Sequence, residues 1–432
     1  MSNVAIIDAR MGVCKSKPKP RKSLLSETQR ESLSTMFRPV NAGKPAITKH
    51  TVIVKWREIL TEYLLNLFTE YLFKTDDIVE LEDLEAFYYN MVEGPTENRA
   101  LIIMSMLGTD RNIHPQTLRK YIVNLLQTYM NILKKSNIEA YTSWTQGDVV
   151  CDKDLNTLAD YCMKEIIYSE SGNLEINELE KWLVVCSFLR EAFESIMHQL
   201  CNMDVGELKP TLPVADGKTS TLRLPLVLLL SHLTRLYTKR VWRLLYDSWT
   251  DPHSWVILQM SILNQGPNLV IIEESGGFVF GGFASQSWKI NTGFYGDNGC
   301  FLFRLRPDMF VCTSSSVNKH YQYLFDGKGM FPKGLAFGGF LNYFGLFLNP
   351  DFGPGQVSDT CDTFSDYEPL SEEKNFYFTR IEVWGIGEPG PKRSNESNKI
   401  SFDPYVADAK RSMTAPEDLT QSFQESDRWN FV

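Results

Sequence analysis

The sequence predicts an α+β chain, an all-helical, EF-hand-like region followed by a mostly antiparallel sheet domain. Three observations lead there. Apolar residues recur at helical spacing through residues 52–203, whereas after residue 268 short alternating apolar runs lie between Gly, Asn and Asp turns. At 432 residues, 43% apolar and 22% charged, the chain can bury at least one sizeable core.

The chain opens on a tail, residues 1–24, that cannot build a core. Its hexapeptide MGVCKS, residues 11–16, sets Gly12 and Ser16 in the relation that N-myristoyl transfer requires, with Cys14 as a second acylation candidate. Gly12 would have a free amine only in a product begun at Met11. Residues 1–22 carry a net +5, so with −9 on the whole chain the remainder carries −14. The tail alone would be drawn to an anionic membrane surface, each basic residue contributing about 1 kcal/mol. One acyl chain binds with an association constant of only about 10⁴ M⁻¹, so the basic run or Cys14 would have to help. A plain solvated tail is the alternative, because prolines and charges of this kind stay unfolded.

Residues 25–205 read as one helical domain. SETQ, residues 26–29, has the form of a capping box, and Leu33, Met36 and Phe37 follow at helical spacing until Pro39. Further helical patterns are WREILTEYLLNLFTEYLF, LEDLEAFYYNMV, QTLRKYIVNLLQTYMNIL, LADYCMKEIIYS and INELEKWLVVCSFLREAFESIM. Two joints resemble EF-hand loops that have lost their ligands. In SESGNLEINELE, residues 169–180, the loop register places Ser169, Ser171, Asn173 and Glu180 at ligand positions and Ile176 at the apolar eighth. In KTDDIVELEDLE, residues 74–85, the same register gives Lys74, Asp76, Ile78, Val79 and Glu85. Calcium needs six or more oxygens, so helix pairs packed without an ion are expected, a weak site at Ser169–Glu180 being the alternative.

A turn-rich stretch, residues 203–220, precedes the change of pattern. The stretch LSHLTRLYTKRVWRLLYDSW, residues 230–249, reads as a helix leading into the sheet and packing on one face. Strands are expected at NLVIIEE, GGFVFGGFASQSW, NGCFLFRL, MFVCTSS, YQYLF, LNYFGLFL and FTRIEVWGIG.

Catalytic patterns are missing. The eight cysteines form no CxxC pair, the six histidines are scattered without HExxH, and neither GxSxG nor a phosphate loop of the GK[ST] type occurs. The acidic body argues against nucleic acid. The longest apolar run, LPLVLLL at residues 224–230, is too short to span a bilayer, and no secretory leader is visible, so a reducing, cytoplasmic setting is expected.

GGFVFGGFASQSW (276–288), GDNGCFLFRL (296–305), KGLAFGGFLNYFGLFLNPDFGPG (333–355) and RIEVWGIG (380–387) resemble the TLDc domain, from residue 221 to 387. The MGxxxS start, the EF-like helices and NKISFDPYVADAK near the C-terminus extend the likeness to mTOR-associated members of that family. The resemblance implies two stacked antiparallel sheets with flanking helices. It marks Gly281, Gly282, Phe283, Asp297, Asn298, Gly338, Gly339, Asp351, Glu382 and Trp384 as signature residues. It implies no cofactor and no catalysis, but a regulator on the cytoplasmic face of lysosomal or endosomal membranes that binds the vacuolar proton ATPase and the mTOR complex. Alternatives are a redox protein using Cys300, Cys312 or Cys361 beside His320, since the family is associated with resistance to oxidation, and a calcium-responsive adaptor. Side-chain-free backbone in the two FGGF stretches fits close passage of another chain segment. Asp297 and Asn298 read as turn formers, and Glu382 as a strand residue pairing locally or, alternatively, a general base. Residues 388–432 read as a linker and a short helical segment opening at Asp403 and Pro404, with a second contact to the ATPase as its expected role and folding back onto the TLDc sheets as the alternative.

Overall fold

The computed structural model describes residues 25–37, 46–109, 111–136, 138–145, 152–203, 212–218, 221–234 and 241–388. The predicted capping box starts the first helix, α1 (Glu27–Met36): Ser26 N donates to Gln29 Oε1 at 2.9 Å and Gln29 N to Ser26 Oγ at 3.3 Å. Strand β1 (Ala46–Thr48) and helix α2 (Lys49–Trp56) follow, then α3 (Glu62–Phe73), β2 (Ile78–Glu80) and α4 (Leu81–Val92). The pattern repeats with α5 (Thr96–Leu107), β3 (Asn112–Ile113), α6 (Pro115–Ser136), α7 (Ile138–Thr145), α8 (Asp152–Met163), β4 (Leu174–Glu175), α9 (Ile176–Val185) and α10 (Ser187–Leu200).

Two antiparallel pairings organise these helices. β1 pairs with β2, Ile47 opposite Val79, and β3 with β4, Ile113 opposite Leu174. All four side chains are buried. Each of the four lies two positions before a helix, so among the described residues the region holds four strand–helix junctions in two pairs, where the sequence pointed to two joints.

The pairing also moves the loop register by two residues. Leu174, not Ile176, lies at the apolar eighth position. Position 1 then falls on Ile167, position 6 on Gly172 with φ +78°, and position 12 on Glu178 rather than Glu180. A glycine at the sharp turn is what such a loop requires. Positions 1, 3 and 5 carry no carboxylate: Ile167, Ser169 and Ser171 stand there, and Ile167 is 67% exposed. In the other loop, Val79 at the eighth position puts Leu72 first and Asp83 twelfth.

The sheet domain begins with β5 (Val214–Asp216) and α11 (Leu224–Leu233), whose LPLVLLL run is buried all round. The expected helix over residues 230–249 is corrected: α11 ends at Leu233, and Val241–Asp247 is strand β6. VWRLLYD satisfies either period locally. Its backbone is claimed by β16 (Phe378–Ile386) on one side and β5 on the other, and that pairing overrides propensity. Two more helical readings end early. α8 stops at Met163, and the pattern over residues 176–197 breaks at Cys186, whose φ −75°, ψ 72° leaves the helical region.

After α12 (Trp255–Ile262) come β7 (Asn268–Glu274), β8 (Val279–Ala284), β9 (Phe301–Arg306), β10 (Phe310–Thr313), β11 (Gln322–Phe325), β12 (Gly334–Phe337), β13 (Leu346–Leu348), β14 (Gly355–Val357) and β15 (Asn375–Phe376). One sheet runs β10-β9-β8-β7-β16-β6-β5, antiparallel except for β5 against β6, and the other runs β11-β12-β13-β14-β15, antiparallel throughout. The two stack through an apolar layer that includes Val270, Phe280, Leu302, Val383, Leu335, Phe337 and Leu346. The resulting α+β fold is the one expected. The other face of the seven-stranded sheet is not free: Trp242, Leu269, Phe283, Phe303 and Trp384 join the helical region in one continuous core. Trp144 of α7 lies edge-on to Trp242 at 5.6 Å and 5.1 Å from Trp384.

Candidate functional site

The signature residues fall into three places. Gly281, Gly282 and Phe283 lie on β8, in the middle of the seven-stranded sheet. A Cβ on Gly281 would sit 1.9 Å from the Val270 carbonyl oxygen, and one on Gly282 would sit 2.9 Å from the Phe337 ring. The first FGGF is therefore where the second sheet presses on the first. The second FGGF supplies both the pressing ring, Phe337, and a turn. Gly338 and Gly339 have φ +68° and +88°, and a Cβ on Gly339 would meet the Tyr343 carbonyl at 2.3 Å. The structure thus brings the two stretches together, each short of side chains for a steric reason.

Glu382 and Trp384 form the second place, and here the sequence left most unseen. On β16, Arg380, Glu382 and Trp384 point to the same face. Arg380 holds Asp247 of β6 bidentately, Nε to Oδ1 2.9 Å and Nη2 to Oδ2 2.7 Å, and its Nη2 lies 3.1 Å from Glu382 Oε1. Trp384 Nε1 donates to Glu382 Oε2 at 2.9 Å. Asp247, Arg380 and Glu382 are at most 4% exposed. Burial works against the Arg380 charge, but the hydrogen bond to Asp247 and the neighbouring carboxylates outweigh it and raise its pKa. Over this guanidinium, 4.4 Å away, lies the indole of Trp249, which is 63% exposed. Both Glu382 oxygens are engaged, so the arrangement fixes strand geometry and offers no accessible base. Period-2 alternation could have revealed that three residues share a face; nothing local points to Asp247, 133 residues away.

The third place is the set of turns. Asp297 Oδ1 accepts from Gly299 N at 2.9 Å and Oδ2 from Gln286 Nε2 at 3.0 Å. Partial burial would raise its pKa, yet these bonds and one with Ser285 hold it below the ordinary value. Asn298 and Asp351 are exposed, and Asp351 N bonds to Asn349 Oδ1 at 3.2 Å. All three serve turns rather than a common cleft.

Cys300, Cys312 and Cys361 are buried and do not resemble activated thiols. Burial raises all three, Cys312 up to about 12. His320 stacks on Phe294 at 4.5 Å with Nδ1 2.7 Å from the Gly339 carbonyl. In the loop before α9, Ser169 Oγ donates to the Asn173 carbonyl at 2.9 Å and shares a hydrogen bond with Ser171 Oγ at 2.9 Å. Oxygens that an ion would need are thus engaged with one another. Glu178 pairs with Lys181, and Glu180 lies one turn of helix away from the loop. Among the described residues no cluster of three or more His, Cys, Asp or Glu side chains could hold a metal, and no helix is long and apolar enough to cross a membrane. Gly12, Cys14 and the segment 389–432 lie outside the described residues.

The TLDc domain model matches residues 222–387. The chain is 30% identical over 346 residues to the MTOR-associated protein MEAK7 of Homo sapiens, covering 75% of each chain. The same-named protein of Danio rerio is 30% identical over 340 residues, 76% of this chain and 75% of its own. Oxidation resistance protein 1 of Rattus norvegicus is 36% identical over 120 residues, only 28% of this chain and 13% of its own.

Proposed function

The chain belongs to the family of the MTOR-associated protein MEAK7 and carries a TLDc domain, and from that premise we propose that it is a non-catalytic regulator in mTOR signalling. It acts at the cytoplasmic face of lysosomal or endosomal membranes. It docks on the vacuolar proton ATPase through the TLDc domain, and an acylated, basic N-terminal tail holds it there. The observation that carries this reading is an identity that runs through both regions rather than the TLDc domain alone: 346 residues are matched to the human relative, whereas the domain model spans residues 222–387. Supporting it, the signature residues serve packing and turns, and the thiols and Glu382 are buried, as suits a docking module.

The full chain is the right bait. Residues 221–387 alone would expose the sheet face that the helices cover. Immobilised full-length protein, incubated with detergent-solubilised lysosomes, is expected to retain ATPase subunits and mTOR complex components at physiological salt. Retention of neither, with the bait folded, would overturn the proposal.

A further inference from the structure

The second EF-like pair contains an arginine whose surroundings ask for a partner. Arg99 sits in the first turns of α5, on the face that packs inward with Ala100, Ile102 and Ile103, and it is 5% exposed. Its Nη2 donates to the Val92 carbonyl at the C-terminal end of α4, 2.8 Å away, a favourable place for a cation. Its Nε has no hydrogen-bond partner, and among the described residues no carboxylate comes within ion-pair distance of it. Glu194 acts on it only from further away, and burial dominates, pulling the pKa of Arg99 down. Beside it the Tyr121 hydroxyl, on a side chain 1% exposed, is also unpartnered. A buried donor left without an acceptor is costly, and a buried cation without an anion more so.

Both groups line one half-open pocket between α5, α6, α9 and α10. Its other walls are apolar, chiefly Ile103, Leu125, Trp182, Leu189 and Phe193. The cavity has about 20 Å³ for a small group, room for a ligand's head and not its body. At the mouth, Arg190 is exposed and adds a second positive charge, while half-buried Leu183 gives an apolar rim.

We infer that this pocket is a binding site for a small aliphatic carboxylate, its two oxygens accepting from Arg99 Nε–H and Tyr121 O–H and its stem leaving through the mouth past the apolar rim at Leu183. The chemistry selects this class. A carboxylate offers acceptors only, with two oxygens that match two separate donors, and carries the charge that the guanidinium lacks. A phosphate would bring further strongly hydrated oxygens against Leu and Phe side chains. A neutral alcohol of the same length would leave the buried cation uncompensated. The inference stands apart from the docking proposal, since it concerns the helical region and no partner protein.

Titration calorimetry of the full chain with hexanoate tests it, with 1-hexanol and hexyl phosphate as controls. Saturable heat is expected for hexanoate, with both controls at least about tenfold weaker, the order of one charge-assisted hydrogen bond. Tyr121→Phe removes one donor while keeping the ring that fills the core, so its Tm without ligand should match the parent. Its affinity for hexanoate should fall about tenfold. Arg99→Lys keeps the charge but loses the fork and should weaken binding likewise. No saturable heat with hexanoate, equal binding of hexanol, or unchanged affinity in Tyr121→Phe would each overturn the assignment.

Discussion

Arg306, at the end of β9, grips Asp154 on helix α8 with Nε 2.9 Å from Oδ1 and Nη2 2.7 Å from Oδ2. The pair joins residues 152 positions apart and fastens the sheet to the helical region. Asp154 is 1% exposed, and its other cation, Arg223, lies 3.9 Å away, so loss of Arg306 leaves a buried carboxylate without its bidentate partner. Arg306→Ala and Asp154→Ala are each expected to cost about 3 kcal/mol or more in urea unfolding, and the double variant clearly less than the sum. Additive losses would show that the two do not act as a pair.

Gly281 and Gly282 differ in what opposes them. A methyl group on Gly281 collides with backbone, which cannot move without breaking the ladder, whereas on Gly282 it meets the Phe337 ring. Gly282→Ala should lower stability by about 1–3 kcal/mol, and Gly281→Ala by more, to the point of insoluble expression. The two variants' unfolding midpoints decide the order.

The covered face of the seven-stranded sheet makes the TLDc domain dependent on its helices. A piece comprising residues 221–388 would leave Trp242, Phe283, Phe303 and Trp384 without their cover. It should bind a hydrophobic dye strongly and self-associate in sedimentation, while a piece comprising residues 25–388 should do neither. A monomeric, dye-silent sheet domain would show that the helices are an independent unit.

The thiols give a prediction in pH. Cys312, pushed by burial up to about 12 from an ordinary 9.0, is neutral in the native state. The raised folded pKa means its contribution is fully present below pH 9.0 and is lost as pH rises toward about 12. Tyr246, raised by burial to about 12 from 10.0, adds to the same loss. At pH 8, iodoacetamide followed by peptide mass mapping should spare Cys300, Cys312 and Cys361. Half-buried Cys186, whose thiol is lowered by a hydrogen bond shared with Cys162, should react. Rapid native labelling of Cys312 would revive a redox role.

The proposed anchoring would depend on Gly12. A myristate analogue should mark protein begun at Met11 and leave its Gly12→Ala version unmarked, with the latter depleted from membrane fractions. An unlabelled product begun at Met11, equally abundant on membranes, would reduce the tail to a solvated extension.

Much of the fold was legible because the relevant signals are local. SETQ makes its capping box, LEDLEAFYYNMV its helix and RIEVWGIG its strand from side chains within one turn or one pleat. The helix misread over residues 230–249, and the EF-loop register displaced by two, share a cause: each was settled by a strand from elsewhere, β16 for Val241–Asp247 and β3 for Leu174. The site divides in the same way. FGGF announced close approach, and only the stacked sheets identified Phe337 and the Val270 carbonyl as what approaches.

Composition and periodicity by themselves determined that this chain has a helical region and a sheet domain, where its glycine turns lie, and that its tail is basic, since each depends on neighbours within a few residues. Which buried charges pair, Arg380 with Asp247 and Arg306 with Asp154, and which remains unpaired at Arg99, was decided by the tertiary structure alone. A charge taken out of water depends on whatever packing places within a few ångströms, and sequence distance carries no record of that.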